Sequence, residues 1–216
     1  MLSIADGWGE EAAMHYDVTI ITVRPGAEQK ALARLKETLP TAAGDGLLAC
    51  WCSDIGALNR ILLLRAASDI TRIHAEREKI LRSENPFGLG EYIAATSMDT
   101  YVSLPFMPPV TAGQYGPVFE VRTYVFKPDG VTPTIELWRE WAPRRATVSP
   151  LLAAMHSITG TVTRFMHIWP YAGLEDRARL RAKAIADKVW PPPGGPDHFT
   201  AMQSDIYLPA DFSPMR

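Results

Sequence analysis

The second half of this chain repeats the first, and this duplication constrains the fold more than any other feature of the sequence. The tripeptide Val23-Arg24-Pro25 is matched 103 residues later by Phe126-Lys127-Pro128. A spacing of 104 residues separates four further pairs: Gly56 and Gly160, Arg60 and Arg164, Met98 and Met202, and Leu104 and Leu208. Because turn residues and core residues recur together, the sequence predicts a duplicated structural module.

The first half predicts the order β-α-β-β-α-β. Short apolar runs bounded by turn residues predict strands at 15–23, 47–53, 58–65 and 92–104. A helix at 27–39 has Ala31, Leu32, Leu35 and Leu39 on one face. A second helix, capped by Ser68 or Asp69 and ending near Arg82, is predicted to bury Ile70, Ile73, Ile80 and Leu81. This order is the ferredoxin-like plan.

The second half predicts the same order again. Strands are expected at 119–126, 151–157, 162–170 and 199–208, and a helix from Pro133 or Thr134 that ends before Pro143. The last helix is predicted at 174–189, with Leu174, Ala178, Ala182, Ile185 and Val189 turned inward. The domain plan is therefore a loose tail (1–14), a first module (15–104), a linker rich in Pro and Gly (105–117) and a second module (118–216).

Composition excludes several classes of protein. The chain has 216 residues, 47% of them hydrophobic, and a net charge of −2, so neither a membrane span nor a nucleic-acid partner is expected. Cys50 and Cys52 lie two apart on a predicted strand, a spacing that does not favour a disulfide, and we expect reduced thiols in a cytoplasmic protein. No spacing of Asp, Glu, His or Cys predicts a metal site, and no glycine-rich phosphate loop is present, so no cofactor is predicted.

Two strands of the second half carry the residues with chemical potential. Along 119–126 the side chains alternate, so one face holds Val121, Thr123 and Val125 and the other holds Glu120, Arg122, Tyr124 and Phe126. Along 162–170 the same alternation groups Phe165, His167 and Trp169. We expect the valine face to pack against helices, and the Glu120 and His167 faces to line a cavity.

These residues resemble the NIPSNAP family, which belongs to the dimeric α/β-barrel group of ferredoxin-like proteins. The motifs that carry the resemblance are Glu120-Val121-Arg122-Thr123-Tyr124, Lys127-Pro128, His167-Ile168-Trp169-Pro170-Tyr171, 174–179 and 208–214 in the second half, and Trp51, 24–26 and 54–59 in the first. The resemblance implies an α+β fold in which two ferredoxin-like sheets face each other as a barrel, within one chain or between two. Because a sheet without such cover would expose an apolar face, a homodimer is expected.

The first module departs from the pattern. Thr19 and Ile21 stand where the second module has Arg122 and Tyr124, and Leu63 stands where it has His167. We therefore predict a single polar site in the second module, with the first module as its structural partner.

The predicted site is an aromatic barrel cavity that binds a small, partly apolar organic molecule. Its catalytic candidates are His167 as general acid or base, Tyr124 as a donor to an oxygen, Arg122 as a carboxylate or oxyanion ligand, and Glu120 as the residue that orients them. Further ligand contacts are predicted from Trp51, Phe126, His156, Phe165 and Trp169.

Three alternatives stay open from the sequence. The polar residues can form a network that serves only structure. The protein can be a non-catalytic interaction module that works through its outer helices, as the family's eukaryotic members suggest, or a haem binder, as some barrel relatives are. The enzyme hypothesis is a cofactor-independent isomerase, cyclase or monooxygenase, and the sequence leaves it undecided.

Overall fold

The computed structural model of the chain describes residues 14–39, 46–67, 69–160 and 162–216. The predicted tail, apart from Met14, and the alternative helix cap Ser68 lie outside the described residues. The other predicted cap, Asp69, accepts a hydrogen bond from the Thr71 backbone N–H and begins the second helix.

Eight strands and four helices follow in the predicted order within the described residues. The first repeat contains β1 (His15–Val23), α1 (Glu28–Thr38), β2 (Leu47–Ile55), β3 (Arg60–Ala67), α2 (Ile70–Leu81) and β4 (Ile93–Ser103). The second contains β5 (Val118–Phe126), α3 (Val131–Ala146), β6 (Ala153–Ser157), β7 (Arg164–Tyr171), α4 (Leu174–Ala186) and β8 (Phe199–Pro209). Short 3-10 helices, Pro86–Gly88 and Gly195–His198, precede the two last strands of the repeats.

The strands close into one antiparallel barrel in the order β1-β3-β2-β8-β5-β7-β6-β4. Each repeat supplies a four-stranded ferredoxin-like sheet, β4-β1-β3-β2 or β8-β5-β7-β6. The sheets join where β2 pairs with β8 and where β4 pairs with β6. The barrel therefore forms within a single chain. Each sheet covers the other, so no apolar face of the described sheets is left for a second chain to cover. The homodimer therefore stays a prediction without that support.

Alternation along the strands divides the side chains between the barrel interior and the layer under the helices. An interior cluster that includes Tyr16, Trp51, Phe119, Ile168 and Met215 fills one end of the barrel. Outside it, one apolar layer lies between the first sheet and α1, and a second, aromatic layer lies between the second sheet and α3. Both Cys50 and Cys52 are free thiols in the layer under α1, and burial raises the pKa of Cys52 to about 12.

The predicted inner face of α4 was wrong, and on α2 one of the four predicted residues was, although Ile73 is buried there as expected. On α4, Leu174 and Ile185 are exposed by 42% and 61%, while the one fully buried residue is Ala184. On α2, Leu81 is 70% exposed. Both errors came from counting apolar positions alone. In α4, the face that includes Arg177 turns toward the sheet, because the buried carboxylate of Glu120 attracts the guanidinium group.

Helix α3 also runs further than predicted, because it continues through Pro143 to Ala146. A proline inside a helix forfeits one backbone hydrogen bond, but here the flanking residues Trp138, Ala142 and Arg145 are all buried against the sheet. Tertiary packing therefore outweighs the local break.

The predicted offset in residue number between equivalent positions of β4 and β8 was too short by two residues. Met98 pairs with Thr19, whereas the counterpart of Thr19 in the second repeat, Arg122, pairs with Ser204. Residues of β4 and β8 thus correspond at a spacing of 106, not 104. A two-residue step keeps every side chain on its face, so Asp99 matches Asp205 and Tyr101 matches Tyr207.

Among the described residues, no helix combines the length and the hydropathy that a membrane crossing requires.

Candidate functional site

The predicted site residues come together, but on the opposite side of the sheet from the predicted one. Glu120, Arg122, Tyr124 and His167 face α3 and α4, whereas Val121 and Ile168 point into the barrel. Alternation shows which residues share a face and leaves open which face turns inward. The Glu120 face turns toward the helices, where Arg177 on α4 provides an ion-pair partner for the buried carboxylate.

Glu120 is the centre of the polar network. It has no exposed surface, and its Oε1 accepts hydrogen bonds from Arg122 Nε at 3.0 Å, Arg177 Nη2 at 2.7 Å and Ser204 Oγ at 2.7 Å. The Tyr171 hydroxyl donates to the other carboxylate oxygen at 3.3 Å. Burial by itself would raise the pKa of Glu120, but Arg177, Arg122 and Ser204 outweigh it and lower the pKa to about 2. Glu120 is therefore an ionised anchor and a weak base.

Positive charge exceeds negative charge around this anchor. Besides Arg122 and Arg177, Arg181 lies 3.7 Å from Glu120 Oε1, so three guanidinium groups face one carboxylate. Arg145, 2% exposed, stacks on Trp169 with its Cζ 4.7 Å from the ring centroid and donates to Ser149. Within the described part of the chain, Glu120 is the carboxylate with which Arg122, Arg177 and Arg181 form ion pairs. A buried excess of cations of this kind favours an anion.

Tyr124 and His167 lie directly beside the arginines. Arg122 Nη1 donates to the Tyr124 oxygen at 2.8 Å, which leaves the hydroxyl proton of Tyr124 free to donate elsewhere. The rings of Tyr124 and His167 meet edge to face with centroids 4.9 Å apart. The site thus offers a phenol donor next to an imidazole.

The hydrogen bonds of His167 define its protonation. The Trp169 indole N–H donates to His167 Nδ1 at 2.6 Å, and Nε2, which is buried, has no partner among the described residues. Burial, with Arg122 as the next cause, lowers the pKa of His167 well below 6.5. A neutral imidazole that accepts at Nδ1 carries its proton on Nε2. The Nε2–H group of His167 is therefore a hydrogen-bond donor without an acceptor among the described residues. In this form the imidazole has no free lone pair with which to act as a base.

Aromatic rings form the wall of the site. Trp138 on α3 packs on Phe165, His167 and Trp169, with centroid distances of 4.7, 4.8 and 6.4 Å. Phe126 extends the same layer and lies 5.7 Å from Phe165. These rings keep water from His167 and offer an apolar surface to a ligand body.

Two predicted ligand residues lie apart from this network. Trp51 is in the barrel interior, where it stacks on Phe119 at 4.1 Å and donates from Nε1 to the Met215 carbonyl at 3.0 Å. His156 is on the outer face of β6, opposite Phe165 in the ladder, and its buried Nδ1 has no hydrogen-bond partner among the described residues. Burial lowers the pKa of His156. Trp51 does face the barrel interior, as predicted, and it is separated from the polar candidates because these lie on the outer side of the sheet, under the helices.

Sequence reasoning missed Arg145, Arg177, Arg181 and Ser204. A signal for two of them was present, since Arg177 and Arg181 are four residues apart and share a helix face. No local pattern marks Arg145 or Ser204, because their roles depend on contacts with strands distant in the sequence. Among the described residues, no group of three or more His, Cys, Asp or Glu could hold a metal ion.

The protonation of His167 gives a prediction for NMR. We expect its imidazole to remain neutral and in the Nε2-protonated form as the pH falls through 6.5, because burial among aromatic rings disfavours the cation. A ¹⁵N–¹³C correlation spectrum of the histidine side chains, recorded against pH, measures both properties. A titration midpoint for His167 at or above pH 6.5 would contradict the prediction.

Comparison with known proteins agrees with the architecture. Residues 119–214 match the NIPSNAP family model. A NipSnap homologue from Dictyostelium discoideum is 24% identical over 165 residues, which cover 71% of this chain and 70% of that protein. A crystal structure of a proposed monooxygenase from Fusobacterium nucleatum has a TM-score of 0.61 at 10% identity, with 92% of this chain and 93% of the other aligned. One from Lactobacillus acidophilus has a TM-score of 0.59 at 10% identity, over 91% and 94%. At these identities the likeness to both solved structures is one of fold.

Proposed function

We propose that this protein, whose residues 119–214 match the NIPSNAP family model, binds a small organic anion between the second sheet and helices α3 and α4. The observation that carries the proposal is the set of three arginines around the single buried carboxylate of Glu120. The ligand class is a carboxylic acid with an apolar or aromatic body. Fold by itself supports no particular activity, so the proposal rests on these contacts.

Arg181 is the residue best suited to receive the carboxylate. Its side chain is 35% exposed and its nearest carboxylate oxygen is 3.7 Å away, a looser contact than those of Arg122 and Arg177 with Glu120. A guanidinium group can bind a carboxylate through two parallel hydrogen bonds. Because Arg177 and Arg122 are already fixed by Glu120, they present a preorganised positive field to the incoming anion.

Tyr124 and His167 would act on a second oxygen of the ligand. Both have a proton to donate, and Trp138 and Phe165 keep the surroundings of His167 dry. Two donors in a site of low polarity stabilise an oxygen that gains negative charge, as in an enolate. If the protein is an enzyme, its chemistry is therefore expected to be stabilisation of such an oxyanion without a cofactor. Neither His167 nor Glu120 is poised to remove a proton.

The proposal is tested by titrating the protein with 4-hydroxyphenylacetate and benzoate, and with the neutral analogue 4-hydroxyphenylacetamide. Isothermal calorimetry gives the affinity and a thermal-shift assay gives the change in melting temperature. We expect the carboxylates to bind and the amide to bind at least tenfold more weakly, which corresponds to about 1.4 kcal/mol. Arg181→Met should weaken carboxylate binding to a similar degree while the protein stays folded.

Arg179 provides a matched control on the same helix. Its side chain is 67% exposed and pairs with Asp176 on the outer surface, away from Glu120. Arg179→Met should therefore leave the affinity unchanged. Equal affinities for the carboxylates and the amide, or equal effects of the two arginine variants, would refute the proposal.

A second candidate function is protein interaction through the outer helices, and one observation favours it. The outer face of α4 has an exposed apolar stripe formed by Leu174, Ala178, Ala182 and Ile185. Exposed apolar patches often mark interaction surfaces, and a second copy of the chain would fit the expected homodimer. Ile185→Glu should then shift a dimer to monomer in light scattering without affecting carboxylate binding. Arg181→Met should have the opposite pattern.

A further inference from the structure

The barrel itself holds a cavity, on the other face of the same sheets from the Glu120 network. It has a volume of about 370 Å³, within the range of small-molecule sites. The interior cluster with Trp51 and Met215 closes one end of the barrel, and the cavity occupies the other. Its apolar wall comes from Val18, Ile20, Leu62, Val121 and Met166, and its charged groups are Arg60, Asp99, Arg164 and Asp205.

The charged groups are arranged twice, as the duplication requires. One set consists of Asp99 and Tyr101 on β4 with Arg164 on β7. The other consists of their counterparts Asp205 and Tyr207 on β8 with Arg60 on β3. Each set therefore combines strands from both repeats, and the two sets share one cavity.

A hairpin glycine closes over the aspartate of each set. Gly160 has φ +100°, and a Cβ there would lie 2.4 Å from Asp99 Oδ1. Gly56 has φ +114°, and a Cβ there would lie 1.9 Å from Asp205 Oδ1. The backbone thus approaches both carboxylates as only glycine permits.

The two sets differ in how their charges are paired. Arg164 Nη1 bonds Asp99 Oδ2 at 2.5 Å, so this pair neutralises itself. In the part of the chain that the structure describes, Arg60 forms no ion pair, and Asp205 accepts only neutral donors, the Ala57 backbone N–H at 3.1 Å and Gln203 Nε2 at 2.6 Å. Asp205 is only 5% exposed. A buried carboxylate without a cation is costly, and so is an arginine held in a cavity without an anion.

We propose that this half of the barrel binds a zwitterionic small molecule, an α-amino acid with an apolar side chain, whose carboxylate meets Arg60 and whose ammonium meets Asp205. Such a ligand carries in one molecule an anionic partner for Arg60 and a cationic partner for Asp205. Its net charge of zero also matches the cavity wall, on which two arginines and two aspartates balance. Its side chain would rest on the apolar wall formed by Leu62, Val121 and Met166.

Tyr207 supports the carboxylate end of the site. Burial raises the pKa of Tyr207 to about 12, and the neighbouring Arg60 opposes that rise without reversing it. Tyr207 therefore keeps its proton at neutral pH and can donate it to a carboxylate oxygen.

The test uses L-leucine, L-methionine and L-phenylalanine as probes, with N-acetyl-L-leucine and L-leucinamide as controls that lack the ammonium or the carboxylate charge. Calorimetry and ¹⁵N–¹H chemical-shift perturbation are recorded on the full chain. We expect at least one free amino acid to shift the amide signals of the strands around Arg60 and Asp205, and both controls to bind at this cavity at least tenfold more weakly. Arg60→Met and Asp205→Asn should each weaken binding at least tenfold.

Variants of the other site separate the two proposals. Arg181→Met acts on the opposite face of the sheet and should leave amino-acid binding unchanged, whereas Arg60→Met should leave carboxylate binding under α3 and α4 unchanged. If Asp205→Asn does not fold, Arg60→Met decides the question, since Arg60 is only half-buried. The inference is overturned if no free amino acid binds at millimolar concentration, if N-acetyl-L-leucine shifts the amide signals around Arg60 and Asp205 as strongly as leucine does, or if Arg60→Met has no effect on leucine binding.

Discussion

Replacing Glu120 with glutamine is expected to lower the free energy of unfolding by about 3–5 kcal/mol, the usual cost of removing one partner of a buried ion pair. Glutamine has nearly the same shape but no charge, so Arg122, Arg177 and Arg181 would face each other without compensation. Its amide group would also present donors to groups that are themselves donors. Chemical denaturation at neutral pH, followed by circular dichroism, measures the loss.

The lowered pKa of Glu120 also predicts how the free energy of unfolding decreases at acid pH. The pKa of Glu120 falls from an ordinary 4.5 to about 2 in the folded protein, so its stabilisation is complete above the unfolded value. It is lost as the pH falls from about 4.5 to about 2, and the shift corresponds to about 3 kcal/mol. The Glu120→Gln variant should lack this part of the pH dependence.

The first module offers a matched control for Glu120. Asp17 occupies the corresponding strand position, and its Oδ1 pairs with a single arginine, Arg77 Nη2, at 2.5 Å. Its side chain is 15% exposed, whereas that of Glu120 is fully buried. Asp17→Asn should therefore destabilise the protein less than Glu120→Gln. Equal losses for the two variants would show that the excess of arginines around Glu120 adds nothing to its stabilisation.

Replacing Trp51 with alanine is expected to cost about 3–5 kcal/mol of stability and to leave ligand binding under α3 and α4 intact. Trp51 is fully buried, stacks on Phe119 and donates to the Met215 carbonyl, so its loss opens a void at the closed end of the barrel. Denaturant unfolding gives the free energy, and titration with 4-hydroxyphenylacetate gives the affinity.

Trp51→Phe separates ring packing from the hydrogen bond. Phenylalanine keeps an aromatic ring against Phe119 but removes one of the two donors to the Met215 carbonyl, which still accepts from Ser213 Oγ at 2.8 Å. The lost hydrogen bond should cost about 1 kcal/mol in addition to any repacking. A folded Trp51→Ala protein that has lost carboxylate binding would restore Trp51 as a ligand residue, as the sequence by itself predicted.

Several features were accessible from sequence because they are local or repeated. Hydrophobic periodicity and turn residues gave the order of the elements, and the repeat of Arg60 as Arg164 and of Gly56 as Gly160 gave the two modules. Alternation grouped Glu120, Arg122 and Tyr124 correctly, since strand neighbours two apart must share a face. The NIPSNAP resemblance of the second half is confirmed by the family match to residues 119–214.

The composition of the site was only partly accessible. Arg177 and Arg181 were overlooked because the apolar positions of α4 were assigned to its inner face, although Leu174 and Ile185 are exposed. In a helix with several arginines, a buried anion on the neighbouring sheet can decide which face turns inward. That anion, Glu120, is more than fifty residues away in the chain, so no local window contains both partners.

The sequence by itself determined the elements, their order, the duplication and the sets of side chains that share a face, because each of these depends on residues a few positions apart or on recurrence along the chain. Only the tertiary structure decided that the barrel closes within one chain and that the His167 face lies under the helices while Val121 lines the barrel. The physical reason is that alternation is unchanged when a strand is turned over. The choice between the two orientations depends on the space available on each side of the sheet and on the charges that meet there, and both are set by segments far apart in the chain.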